Sequence, residues 1–170
     1  MVTTQSLRLL VGICVVSVWV LGSAMPGAAE TLNYKFYTWV SKWERVPVGD
    51  VEGHAVSLVM RGGFNVFDNG EVATAHSVAT NDYINGAGPF MQYVTINFPD
   101  GATITIKSQG TMGAVGAAGG WTSEIIKGTG RFEGIKGTQS AKATYLPIEP
   151  GEAGRKGYGE GTITYTLQPK

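Results

Sequence analysis

Between Phe90 and Gln109 the sequence describes two strands folded back on one another. Pro99-Asp100-Gly101 separates the β-rich runs Phe90 to Phe98 and Ala102 to Gln109. Proline presets the backbone for a turn and glycine accepts a positive φ, so the triplet reverses the chain. In the second run Ala102, Ile104, Ile106 and Ser108 share one face, and Thr103, Thr105, Lys107 and Gln109 the other. A period of two is the signature of a strand with one buried face. Gly161 to Leu167 repeats it, with Ile163, Tyr165 and Leu167 set against Thr162, Thr164 and Thr166.

Further strands are expected over Leu32 to Val40, His54 to Met60, Phe64 to Phe67, Glu71 to Ala79, Trp121 to Lys127 and Thr138 to Leu146. Asp68-Asn69-Gly70 marks another tight turn. No window of a dozen residues carries a helical period free of glycine, so little helix is expected. A short helical turn fits only around Arg131 to Lys136, between Gly130 and Gly137. Glycine supplies 25 of the 170 residues without a Gly-X-Y period, which excludes collagen. Many short strands joined by glycine turns describe a sandwich or a closed barrel. Closure removes the exposed edges that would template aggregation. Gly110 to Gly120 reads as a low-complexity loop, either a connection or a flap at a barrel mouth, and Pro147 to Lys156 as a second exposed loop.

The N-terminal segment reads as an address. Arg8 is the only charge before Glu30, and an apolar run from Leu9 to Leu21 leads into the small residues Gly27-Ala28-Ala29. That is the pattern of a secretory signal peptide, expected to be cleaved after Ala29. The run is short for a membrane span, which needs about 20 apolar residues. The division is therefore a leader over 1–29 and one domain over 30–170, in a secreted or periplasmic chain with no membrane anchor after cleavage. Cys14, the one cysteine, lies in the leader. The exported domain then has no disulfide, thiolate nucleophile or cysteine metal ligand. With 13 basic and 13 acidic residues the chain offers no basic field for nucleic acid.

Motifs for common chemistries are missing. Gly128-Thr129-Gly130-Arg131-Phe132-Glu133-Gly134 is one residue too long for a dinucleotide loop. Two isolated histidines do not make a zinc site, and neither a metal nor a cofactor is expected. Some polar residues fall in phase with apolar ones: His54 with Val56, Leu58 and Met60, His76 with Val72 and Val78, Glu124 with Ile126. Inside a barrel such a group would have a shifted pKa and could do acid–base work; at a strand end or on a solvated face it would not. Glu44, between Trp43 and Arg45, is either desolvated against indole or a surface ion-pair partner. Glu44, His76 and Glu124 are the catalytic candidates. Tyr34 and Phe36 share one face of the first strand, Tyr37 and Trp39 the other. These four are the ligand-binding candidates, one pair lining a cavity and the other facing a second subunit, unless all are ordinary packing.

From Val94 onward the sequence resembles the allene oxide cyclase-like barrel family, related in fold to dirigent proteins. The resemblance rests on Val94 to Gly110, on the glycine-rich turn Gly128, Gly130, Phe132, Gly134 and Gly137, and on the last strand Gly161 to Leu167. It implies a bacterial-type secreted member with an all-β, calycin-like closed antiparallel barrel of about eight strands. It also implies a cavity, a trimeric homo-oligomer, and small hydrophobic or oxygenated ligands handled without a redox cofactor. In the turn, Phe132 and Ile135 would plug one end of the barrel. The cysteine that helps shape the site in the plant cyclases of that family has no counterpart after the leader. Three functions follow: binding of a small hydrophobic or oxygenated molecule; a cofactor-independent cyclase or isomerase; or an envelope protein whose barrel is filled by its own side chains.

Overall fold

The computed structural model describes residues 28–113, 119–152 and 154–168. The expected leader, 1–29, falls almost wholly outside them, as does the centre of the Gly110 to Gly120 segment. Eight strands run in chain order: β1 (Glu30–Pro47), β2 (His54–Phe67), β3 (Val72–Ile84), β4 (Gly88–Asn97), β5 (Thr103–Met112), β6 (Gly119–Thr129), β7 (Ile135–Tyr145) and β8 (Gly157–Leu167). Each pairs antiparallel with the next, and β1 pairs with β8 from Glu30↔Tyr165 to Thr38↔Gly157, closing the barrel. The fold is all-β, as the alternating sequence requires. Gly130–Phe132 forms a single 3-10 turn, shorter than the helical turn the flanking glycines allowed.

The strands run longer than local pattern indicates. His54 to Met60 and Phe64 to Phe67 belong to one strand, uninterrupted by Gly62-Gly63. There the Trp39 ring covers the place where a Cβ on Gly62 would lie, 2.9 Å away. β1 slips register between Val40 and Lys42 and stays paired with β2 to Pro47↔Ala55, beyond its last pair with β8 at Thr38↔Gly157. β8 begins at Gly157 rather than Gly161.

The expected Pro-Asp-Gly hairpin is present. The Phe98 amide donates to the Ala102 carbonyl at 2.9 Å, and the Asp100 carboxylate accepts from the Ala102 amide at 3.0 Å. Four rings meet at this end of the barrel: Phe67 stacks on Phe98 at 5.2 Å, Phe98 meets Phe132 at 4.8 Å, and Phe132 meets Tyr165 at 5.9 Å. Ile96, Ile104, Ile106, Ile125 and Ile163 lie behind them, all buried. Each buried side chain of this kind contributes roughly 1.5–3 kcal/mol, and these carry the core. Outside the plug, the Arg131 guanidinium lies 4.7 Å over Phe98 and 4.9 Å over Phe132. It donates at 2.7 Å to both carboxylate oxygens of Glu71.

Candidate functional site

Above the apolar plug the barrel interior turns polar. Inward positions of β2 carry Ser57, Arg61 and Asn65, those of β3 Ser77 and Asn81, and those of β5, β6 and β7 carry Ser108, Ser123 and Gln139. The Ser123 hydroxyl donates to Ser108 at 2.7 Å, and the Gln139 amide donates to the Tyr34 hydroxyl at 2.7 Å. Burial pushes the Tyr34 phenol up to about 12, with the Gln139 bond opposing the shift. Two buried polar atoms on this belt have no partner in the structure: Arg61 Nε and Gln139 Oε1. Buried polar atoms normally find partners, so each such exception calls for an explanation.

The belt bounds two spaces that share Arg61 and Tyr145 in their walls. The inner one, about 70 Å³, lies against Phe36, Asn65, Gln92 and Gln139. The outer one, about 130 Å³, is a chamber at the mouth. Val40, Val59, Met112 and Ile148 give it an apolar wall, and Ser57, Asn81, Tyr83, Tyr145, Arg61 and Arg155 supply polar groups. Burial pushes the Tyr83 phenol up to about 12, so at neutral pH it is an O–H donor. A cavity of about 150 Å³ accommodates a benzene-sized ring, which sets the scale of what the chamber can take.

Glu44, His76 and Glu124 do not converge on this space. All three are exposed, and Glu44 pairs with Lys42 at 2.5 Å on the outer hairpin. His76 borders the inner cavity but stands opposite Gly62 on an exposed position of β3. His54 is also outside, with Asp50 at 2.5 Å on Nδ1 and Asp82 at 2.7 Å on Nε2. The apolar face with which these groups are in phase is the outer face. Tyr34 and Phe36 point inward and line the inner cavity. Tyr37 and Trp39 form an outer cluster with Phe64, Tyr37 lying 6.1 Å from Trp39 and 5.8 Å from Phe64. Tyr37 also borders the inner cavity, between the two faces. In the glycine-rich turn, Phe132 and Ile135 are buried in the plug. A Cβ on Gly128 would sit 2.2 Å from the Phe132 carbonyl, and one on Gly137 2.0 Å from the Thr164 carbonyl. Gly130 and Gly134 have φ of 60° and 78°.

Arg61, Tyr83, Tyr145 and Arg155 are the site residues that sequence reasoning missed. A signal was present. On β2 and β3 the inward stripe is Ala55, Ser57, Val59, Arg61, Gly63, Asn65 and then Ala73, Ala75, Ser77, Ala79, Asn81. It is the stripe of small and polar residues, because the interior of an eight-stranded barrel is narrow.

These features define a class: a closed eight-stranded antiparallel barrel, plugged at one end, with a polar-belted chamber at the other. Among solved structures it is similar to two pterocarpan synthase dirigent proteins, GePTS1 and PsPTS1. Each aligns at a TM-score of 0.52 and 16% identity over 85% of this chain, covering 93% and 99% of the respective neighbour. The chain therefore has the barrel fold of dirigent proteins. No protein-family model matches the sequence, and no curated protein does.

Proposed function

We propose that this chain is an exported barrel that binds a small oxygenated molecule, of about one ring, in the chamber at its mouth. The observation that carries the reading is an open chamber of about 130 Å³ walled in part by Arg61, whose guanidinium has no ion pair among the described residues. A barrel filled by its own side chains would close that space and neutralise that charge. Export is supported by the leader-like sequence at 1–29. The fold is one that pterocarpan synthase dirigent proteins also use. The cyclase or isomerase reading is less well supported, since among the described residues no Asp, Glu or His lines the mouth chamber to move a proton.

The test is a thermal-shift and native mass spectrometry screen with single-ring phenols, acids and amides. A ligand at a hundred times its Kd raises stability by about 2.7 kcal/mol, a readily measured increase in Tm. Val59→Phe, which fills the chamber, is expected to abolish the shift. If no single-ring compound shifts the folded protein, the reading is wrong.

A further inference from the structure

The chamber is unusual in its charge. Arg61 reaches it from the middle of β2, and Arg155 enters from the β7–β8 connection. Neither guanidinium has an ion pair or hydrogen bond from any described residue. By contrast Arg131, at the plugged end, is held by both Glu71 and Asp100. Tyr83 lies within electrostatic reach of both chamber arginines. With its phenol neutral, it adds a donor and no negative charge. The remaining polar groups are serine, asparagine and tyrosine, and the asparagine amide of Asn81 donates to Ser57 Oγ at 3.4 Å.

A guanidinium has five donors in a rigid fork and no acceptor. Leaving it partly desolvated without an anion is costly. What the chamber lacks is a negatively charged hydrogen-bond acceptor whose other end is apolar enough for Val40, Val59, Met112 and Ile148. We propose that the mouth chamber is an anion site, which takes a small monocarboxylate with a single-ring apolar body. The acid group lies on Arg61, with Arg155 at the rim. This rests on the barrel being a binding chamber, as read above, and adds the ligand's charge and chemical class. The planar fork of Arg61 matches a carboxylate in a way a lysine would not.

The experiment compares benzoate with benzamide, its neutral isostere, by calorimetry on the purified protein. Benzoate is expected to bind at least about tenfold tighter, as charge-assisted hydrogen bonds allow. Arg61→Gln is expected to remove that preference, so that benzoate binds no tighter than benzamide to the variant. Arg61→Lys retains charge without the fork and recovers part of it. Arg155→Gln, at the rim, lowers benzoate affinity by less than Arg61→Gln. The comparison on the unsubstituted protein stands even if a variant fails to fold. Equal binding of benzoate and benzamide overturns the anion inference and leaves the chamber reading intact. Binding of neither overturns the chamber reading, and the anion site with it. Sulfate competing as well as benzoate overturns the assignment to a carboxylate with an apolar body.

Discussion

At the scale of single residues, the interior is shaped by what is missing from β8. Gly157, Gly159 and Gly161 recur with a period of two, so their bare Cα atoms face the same side of the strand. A Cβ on Gly161 would lie 2.4 Å from the Tyr34 ring, and one on Gly159 2.7 Å from the Phe36 ring. The first-strand aromatics lie over this glycine column, and Tyr34 thereby reaches Gln139. Overpacking of a core typically costs about 1–3 kcal/mol. Gly161→Ala is expected to cost about 2 kcal/mol and to displace Tyr34 from Gln139. Denaturant unfolding measures it; unchanged stability would show that the ring moves aside freely.

At the scale of elements, β1 and β2 stay paired beyond the end of β8, and the far end of the β2–β3 ladder carries a side-chain tie through His54 to Asp82. The two carboxylates of Asp82 and Asp50 raise the His54 pKa, and the His54 bond lowers that of Asp50. A histidine whose folded pKa is raised stabilises the fold fully below its unfolded value of about 6.5. That contribution is lost as pH climbs through the raised folded value. The Asp50 contribution works the other way: it is present above the ordinary aspartate range and lost as acid passes the lowered value. The tie is thus most secure in mildly acid solution. NMR titration of the imidazole is expected to place the His54 midpoint above 6.5, with His54→Gln abolishing the pH dependence of amide protection at Val48. A midpoint at or below 6.5 would refute the clamp.

At the scale of the whole molecule, the barrel divides its labour along its axis. One end is sealed by Phe67, Phe98, Phe132 and Tyr165, part of the main buried cluster; the other holds the chamber, beside the Phe90–Trp121 contact at 6.1 Å. Truncating a buried phenylalanine typically costs about 3–5 kcal/mol. Phe132→Ala is expected to fall in that range, measured by chemical denaturation, while leaving the geometry of the mouth unchanged. A loss below about 1 kcal/mol would mean that the plug is not what holds the barrel shut. In the Gly128 to Gly137 turn that carries this ring, Gly128, Gly134 and Gly137 lie against backbone carbonyls and Gly130 against Ala102.

Much of the barrel was legible in the residues. Pro99-Asp100-Gly101, the alternation from Ala102 to Ser108 and that from Ile163 to Leu167 determine strands, turns and which side of β5 and β8 is buried. They do so because alternation is local and a turn needs only a few residues. The site was far less legible. His54, His76 and Glu124 are in phase with apolar residues, but on β2 and β3 the apolar stripe of Leu58, Met60 and Val78 faces outward. On β2 and β3 the interior takes the smaller residues, because Tyr34, Phe36, Ile104 and Ile106 already fill it from β1 and β5, so hydrophobicity alone points to the wrong face there. Sequence by itself determined the all-β architecture and that Tyr34 and Phe36 share one face of β1. Only closure of the sheet decided which stripe became the inside. That closure also brought Arg61 from β2 and Arg155 from the β7–β8 connection to one chamber, since their proximity depends on circumference and strand stagger rather than on neighbours in the chain.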